Sequence, residues 1–117
     1  NDMLRGIDPA QTRANLEGIL KGAQAKDIPV LLIGLQAAGN YGPDYKAQFD
    51  AIYPDLAAQY DVLLAPGFFA PLVAQNPDPA ALTQYLQPDG LHPNAQGVQL
   101  IVAGLGPYVL DLLKEIP

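Results

Sequence analysis

The chain has 117 residues, half of them hydrophobic and 15% charged, which fits one small domain with a packed core and argues against disorder. Twelve acidic against six basic residues leave a net charge of −6, which repels phosphate backbones and anionic lipid surfaces, so no nucleic-acid partner is expected. The absence of cysteine excludes disulfide frameworks and thiolate metal sites without fixing the compartment.

In chain order, Asn1-Asp2-Met3-Leu4-Arg5-Gly6 has neither the basic start nor the apolar middle of a signal peptide, so a targeting segment would have to lie upstream. Asp8-Pro9 supplies an acidic cap and a first-turn proline, and Leu16, Ile19, Leu20 and Ala23 recur at helical spacing. This predicts a helix up to Ala25. Ile28 to Leu35 is a continuous apolar run, expected to be a parallel strand covered on both faces, with Pro29 suited only to its beginning. It is too short to span a bilayer, and no membrane insertion is expected.

Gln36 to Gly42 reads as a loop leaving the carboxyl end of that strand. Pro43-Asp44 then opens a second helix reaching Tyr60, with Tyr45, Phe49, Ile52, Tyr53, Leu56 and Tyr60 as its buried stripe and Pro54 as a bend or break. Val62 to Ala65 is a short second strand. Pro66 to Pro88 reads as a loop with short helical turns, the better one at Pro79 to Tyr85. From Asn94 onward Val98, Leu100, Ile101, Val102 and Leu105 mark a last helix, expected to break around Gly104-Leu105-Gly106-Pro107 and resume through Leu113.

Helix, strand, helix, strand, helix is the order of a parallel α/β layer with right-handed crossovers. Two strands buried on both faces call for further parallel neighbours, so the chain reads as a C-terminal piece of a larger unit.

The chemistry concentrates in Asp89-Gly90-Leu91-His92-Pro93-Asn94, an acid three residues before the only histidine. An Asp that orients a His is the back half of a nucleophilic hydrolase, yet the chain contains no serine or cysteine for that histidine to activate. Spacing alone leaves other readings open, since a lone histidine also packs near helix starts and Asp-Gly marks turns in any protein. One histidine among scattered acids has no zinc-ligand spacing, and Gly104-Leu105-Gly106, followed by proline, is no phosphate cradle. No metal or cofactor is expected.

Several stretches taken together resemble the SGNH hydrolases, also called GDSL esterases and lipases, and among them the bacterial thioesterase I or arylesterase group. They are Asn1-Asp2-Met3-Leu4-Arg5-Gly6 with Pro9-Ala10-Gln11-Thr12, then Asn40-Tyr41-Gly42 with Tyr45, then Ala51-Ile52-Tyr53-Pro54, and finally Asp89 to Asn94. The resemblance implies a three-layer α/β/α sandwich with a parallel, flavodoxin-like sheet, of which residues 1–117 are the C-terminal portion of a single domain. It implies an acyl ester or thioester substrate, with His92 as general base, Asp89 as its orienting acid and Asn1 as an oxyanion donor. Asp2 would hold its loop through hydrogen bonds to backbone amides. The serine block, the glycine block and the glycine before the asparagine motif are absent from this sequence, which puts the nucleophile on an N-terminal segment. A periplasmic or secreted bacterial location is implied as well.

In open parallel sheets ligands bind beyond the carboxyl ends of the strands, which points to Leu35, Tyr41, Phe68 and Phe69 as lining for an apolar acyl chain, while ordinary core or loop packing accounts for any one of them equally well. The alternative is a stand-alone, non-catalytic interaction module derived from such an enzyme.

Overall fold

The computed structural model describes all residues from Asn1 to Pro117. The Asp8 carboxylate accepts the Ala10 N–H at 2.9 Å and Pro9 fills the first turn, and together they start helix α1, Pro9–Gln24. Helix α2, Pro43–Tyr60, likewise opens on a proline. It runs unbroken through Pro54, where a bend or break was expected; Pro54 lies on the exposed side, and the helix forgoes one backbone hydrogen bond there.

The two helices pack against each other around Leu20, Phe49, Ile52, Leu56 and Tyr60, all of them buried. Their polar edges are joined by Arg13 donating to Asp55 at 2.9 Å and by the Tyr60 hydroxyl donating to Glu17 at 2.5 Å.

Strands β1, Leu31–Ile33, and β2, Leu63–Ala65, pair in parallel with Leu32 opposite Leu64. Both are shorter than the apolar runs that contain them, because a ladder extends only as far as both partners stay in register. Flanking bonds from Leu63 N–H to the Val30 carbonyl and from Gly34 N–H to the Ala65 carbonyl end it. Val30, Leu32, Val62 and Leu64 join the α1/α2 core. The alternate residues Leu31, Ile33, Leu63 and Ala65 fall on the opposite pleat, where α4, Ala95–Lys114, packs. This is the three-layer α/β/α order with a parallel sheet. Burial on both faces was expected for the strands, but only Leu32 and Ala65 are buried in them, and Ile33, 36% exposed, lines an open cavity.

Between β2 and α4 lie the short helix α3, Ala70–Gln75, and a 3₁₀ stretch at Pro79–Tyr85, the latter with the expected bounds. Helix α4 corrects a second expectation, for its 20 residues pass through Gly104 to Pro107 without interruption. The glycine there serves packing. A Cβ at Gly104 would stand 2.3 Å from Cγ of Pro71, so α3 and α4 meet only because that position has no side chain. By length and composition α4 is apolar enough to cross a bilayer, which the Ile28–Leu35 run is not; here it packs along α3 and both strands.

Gly104→Ala therefore tests the α3–α4 seam. Although alanine favours helix by about 1 kcal/mol, the overlap with Pro71 is expected to dominate and lower the unfolding free energy by about 1–3 kcal/mol in urea titrations.

Candidate active site

Residues 87–94 fold into a loop that closes on itself. Gln87 donates its N–H to the His92 carbonyl at 2.7 Å, and Gly90 donates to the Gln87 carbonyl at 2.9 Å. Gly90 has φ +68°, the left-handed region that glycine occupies without strain. The turn brings the Asp89 side chain back over the residues that follow it. One carboxylate oxygen accepts the N–H groups of Leu91 at 2.9 Å and His92 at 3.0 Å, and the other lies 2.6 Å from His92 Nδ1. The hydrogen bond to the imidazole, seconded by those two amides, holds the Asp89 carboxyl down to about 2 from its ordinary 3.8. Ionised at neutral pH, it fixes the His92 tautomer with the proton on Nδ1. Nε2 then has its lone pair free, and it makes no hydrogen bond within the chain.

Asn94 fastens this loop to the frame. Its Oδ1 accepts the Gly97 N–H at 3.0 Å as the cap of α4, while Nδ2 donates to the carbonyls of Gln84 at 2.7 Å and Leu86 at 3.3 Å. The Asn94 N–H adds a bond to the Tyr85 carbonyl. One side chain thus sets the position of His92 relative to both the 3₁₀ stretch and the last helix.

His92 is 66% exposed at its side chain and borders an apolar cavity of about 400 Å³. Leu35 enters from the end of β1, Phe68 and Phe69 from the end of β2, and Met3 and Leu4 from the first turn. The two strand ends are tied together by Phe68 N–H to the Gly34 carbonyl at 2.8 Å and by Gln36 Nε2 to the Pro66 carbonyl at 2.9 Å. Beyond Leu35, the Asp50 carboxylate accepts the Ala37 N–H and the Lys46 ammonium, each at 2.7 Å, and so pins the loop.

Three of the four expected lining residues, Leu35, Phe68 and Phe69, meet in this cavity with His92. Tyr41 does not; its ring packs tilted against Tyr45 with centres 5.1 Å apart, and its hydroxyl donates to the Leu4 carbonyl. Asn1 lies in an adjoining cavity, which shares Leu35 and Tyr53 with the first. The Asp2 side chain accepts the Thr12 hydroxyl at 2.9 Å instead of backbone amides, and the loop is closed by the Asp2 carbonyl, which accepts from Arg5 and Ile7. Sequence reasoning missed Met3, Leu4, Tyr53 and Leu91 as lining, and missed Asn94 as the anchor. The only signal for these was their presence inside the quoted motifs. The two threonine hydroxyls are committed elsewhere, Thr12 to Asp2 and Thr83 to the Ala80 carbonyl, and the chain has no serine or cysteine to place beside His92.

A depressed carboxyl keeps its charge, and the stability that charge brings, above its ordinary value and loses both as pH falls through about 2. In a carbon-detected NMR titration Asp89 is expected to show its midpoint near 2. A midpoint near its ordinary 3.8 would mean that the contact with His92 is not made in solution.

The sequence model of the GDSL-like lipase/acylhydrolase family matches residues 1–100. Thioesterase 1/protease 1/lysophospholipase L1 of Escherichia coli K12 is 43% identical over 115 residues, which cover 98% of this chain and 52% of that protein. Among solved structures, AlinE4, described as an SGNH-hydrolase family esterase, is 42% identical with a TM-score of 0.66, covering all of this chain and 57% of that one. A TesA crystal structure is 33% identical with a TM-score of 0.79 over 96% of this chain and 58% of that one. The chain spans about half the length of these relatives. An Asp–His pair at the mouth of an apolar cavity, a parallel α/β/α frame and a match over residues 1–100 converge, and the chain belongs to the GDSL-like lipase/acylhydrolase family, the SGNH hydrolases.

Proposed function

We propose that this chain supplies the general base His92, its orienting acid Asp89 and an oxyanion donor, Asn1, to a serine esterase or acyl thioesterase whose nucleophile stands on a segment N-terminal to Asn1. One observation carries the reading. His92 has Nδ1 held by an ionised carboxylate, Nε2 unengaged beside an apolar cavity, and no serine or cysteine in its own chain to activate.

In this mechanism His92 Nε2 takes the proton from the serine hydroxyl as its oxygen bonds to the acyl carbon. Asp89 stabilises the resulting imidazolium without itself taking the proton. The Asn1 amide donates to the oxygen that becomes negative in the tetrahedral intermediate. As the bond to the leaving alcohol or thiol breaks, the imidazolium gives that atom its proton. Water then repeats the sequence on the acyl-serine and releases the carboxylic acid. Leu35, Phe68 and Phe69 offer the acyl chain an apolar wall, and Tyr41 acts at one remove by holding the Leu4 carbonyl.

The fold supports the need for a partner segment. A sheet of two parallel strands has two open edges, and parallel sheets are normally wider and covered on both faces. Ile33 is exposed on β1, and α4 carries an exposed apolar stripe, Val98, Val102, Val109 and Leu113, with exposures from 43% to 62%. The serine-bearing segment would add strands to the sheet and cover this stripe.

Changing His92 to Ala in the complete enzyme is expected to lower turnover of short acyl esters by about 10⁶-fold, since a triad member acts only as part of the unit. Retained activity would remove His92 from the mechanism. Asn1→Ala is expected to cost a smaller factor, about 10²–10³ in kcat with KM nearly unchanged, as befits a contact made mainly in the transition state. For the interface, Val102→Glu would bury a charge with no counter-ion, and the two parts, expressed as separate polypeptides, should no longer co-elute in gel filtration.

A further inference from the structure

The cavity beside His92 shares two of its walls, Phe69 and Leu91, with a second apolar cavity of about 230 Å³. Its remaining walls are Leu72, Leu82, Leu86 and Gly90, and no charged side chain lines it. Phe69 stands edge-on to Phe68 with ring centres 4.9 Å apart, so the partition between the two spaces is aromatic on one side and a leucine on the other. The far wall is well fixed, because the Leu86 carbonyl accepts from the same Asn94 amide that anchors the catalytic loop.

The chemistry of the site assigns an orientation to these two spaces. A histidine that returns a proton to the leaving atom must stand beside that atom, so the alcohol side of a bound ester lies on the histidine side of the scissile bond. His92 lines the first cavity, and Leu91, the residue before it, is a wall of both, so the second cavity adjoins the first at its His92 end. Asn1 lies off a different wall, beyond Leu35 and Tyr53. We propose that the cavity bounded by Phe69, Leu72, Leu82, Leu86 and Leu91 is a subsite for the apolar alcohol portion of the ester, an aromatic or medium-chain aliphatic alcohol, while the acyl chain runs along Met3, Leu4 and Leu35. This rests on the serine-esterase reading and adds to it which end of the substrate each apolar space selects.

The test uses the complete serine-bearing enzyme with two substrate series. One holds the acyl group constant, comparing methyl, hexyl and 2-naphthyl acetates; the other holds the alcohol constant, comparing methyl acetate with methyl hexanoate. Leu82→Trp, which fills the cavity, should lower kcat/KM for 2-naphthyl acetate relative to methyl acetate about tenfold while moving the methyl hexanoate to methyl acetate ratio less than about twofold. Leu82→Ala, which enlarges the cavity, should shift preference toward the larger alcohols, so the inference stays testable if the tryptophan variant folds poorly. Free 2-naphthol should inhibit competitively, and more weakly in Leu82→Trp. A change in acyl-length preference, or equal changes in both series, would overturn the assignment while leaving the esterase reading intact. Absence of ester turnover in the unmodified complete enzyme would overturn both.

Discussion

Three hydrogen bonds to one carboxylate organise the chemistry of this chain. Asp89 accepts from two backbone amides and from the His92 ring within a stretch of four residues, so the Asp–His pair is assembled by a turn and needs no distant element to bring its members together. Charge-assisted bonds of this kind are roughly twice as strong as neutral ones, and here the amide bonds shape the backbone while the ring bond orients the imidazole. Local closure also explains how the site can keep an exposed histidine in one orientation. A side chain with 66% of its surface open has little packing to hold it, and the carboxylate supplies the constraint instead.

The frame has a different task, which is to bring separate apolar surfaces to that histidine. β1 and β2 end at the same level, tied by Phe68 to Gly34, and each delivers its wall of the cavity at a strand's carboxyl end. Asn94 joins the two systems, since it caps α4 and binds the carbonyls of Gln84 and Leu86 with the same side chain. Helix α4 is then used on two sides. Gly104 admits Pro71 of α3 on one, while the other presents the apolar stripe from Val98 to Leu113.

What was legible in the sequence followed from how local each signal was. Asp8-Pro9 and Pro43 mark helix starts by chemistry contained within a few residues, and both helices begin where those signals stand. Asp89 and His92 are three residues apart, so their partnership follows from the loop alone. The misread features depended on distant partners. Gly104 and Pro107 were read as a helix break because the neighbour that requires the glycine, Pro71, lies far away in sequence. The ends of β1 were set by where β2 stops, and an apolar run carries no trace of that. Tyr41 follows a strand end, as lining residues often do, yet Tyr45, four residues on, gives its ring a tilted partner to pack against. Asn94 stands where the last helical pattern begins, but its amide bonds reach back eight and ten residues into a stretch with no periodic pattern.

Whether His92 serves a serine that another segment provides can be tested directly by one structure. The complete enzyme, labelled with a serine-directed phosphonate, should carry the label on the N-terminal segment, with the labelled oxygen about 2.6–3.2 Å from His92 Nε2, the reach of a nucleophile to its base. Labelling on a serine remote from His92, or a labelled serine paired with a different base, would contradict it.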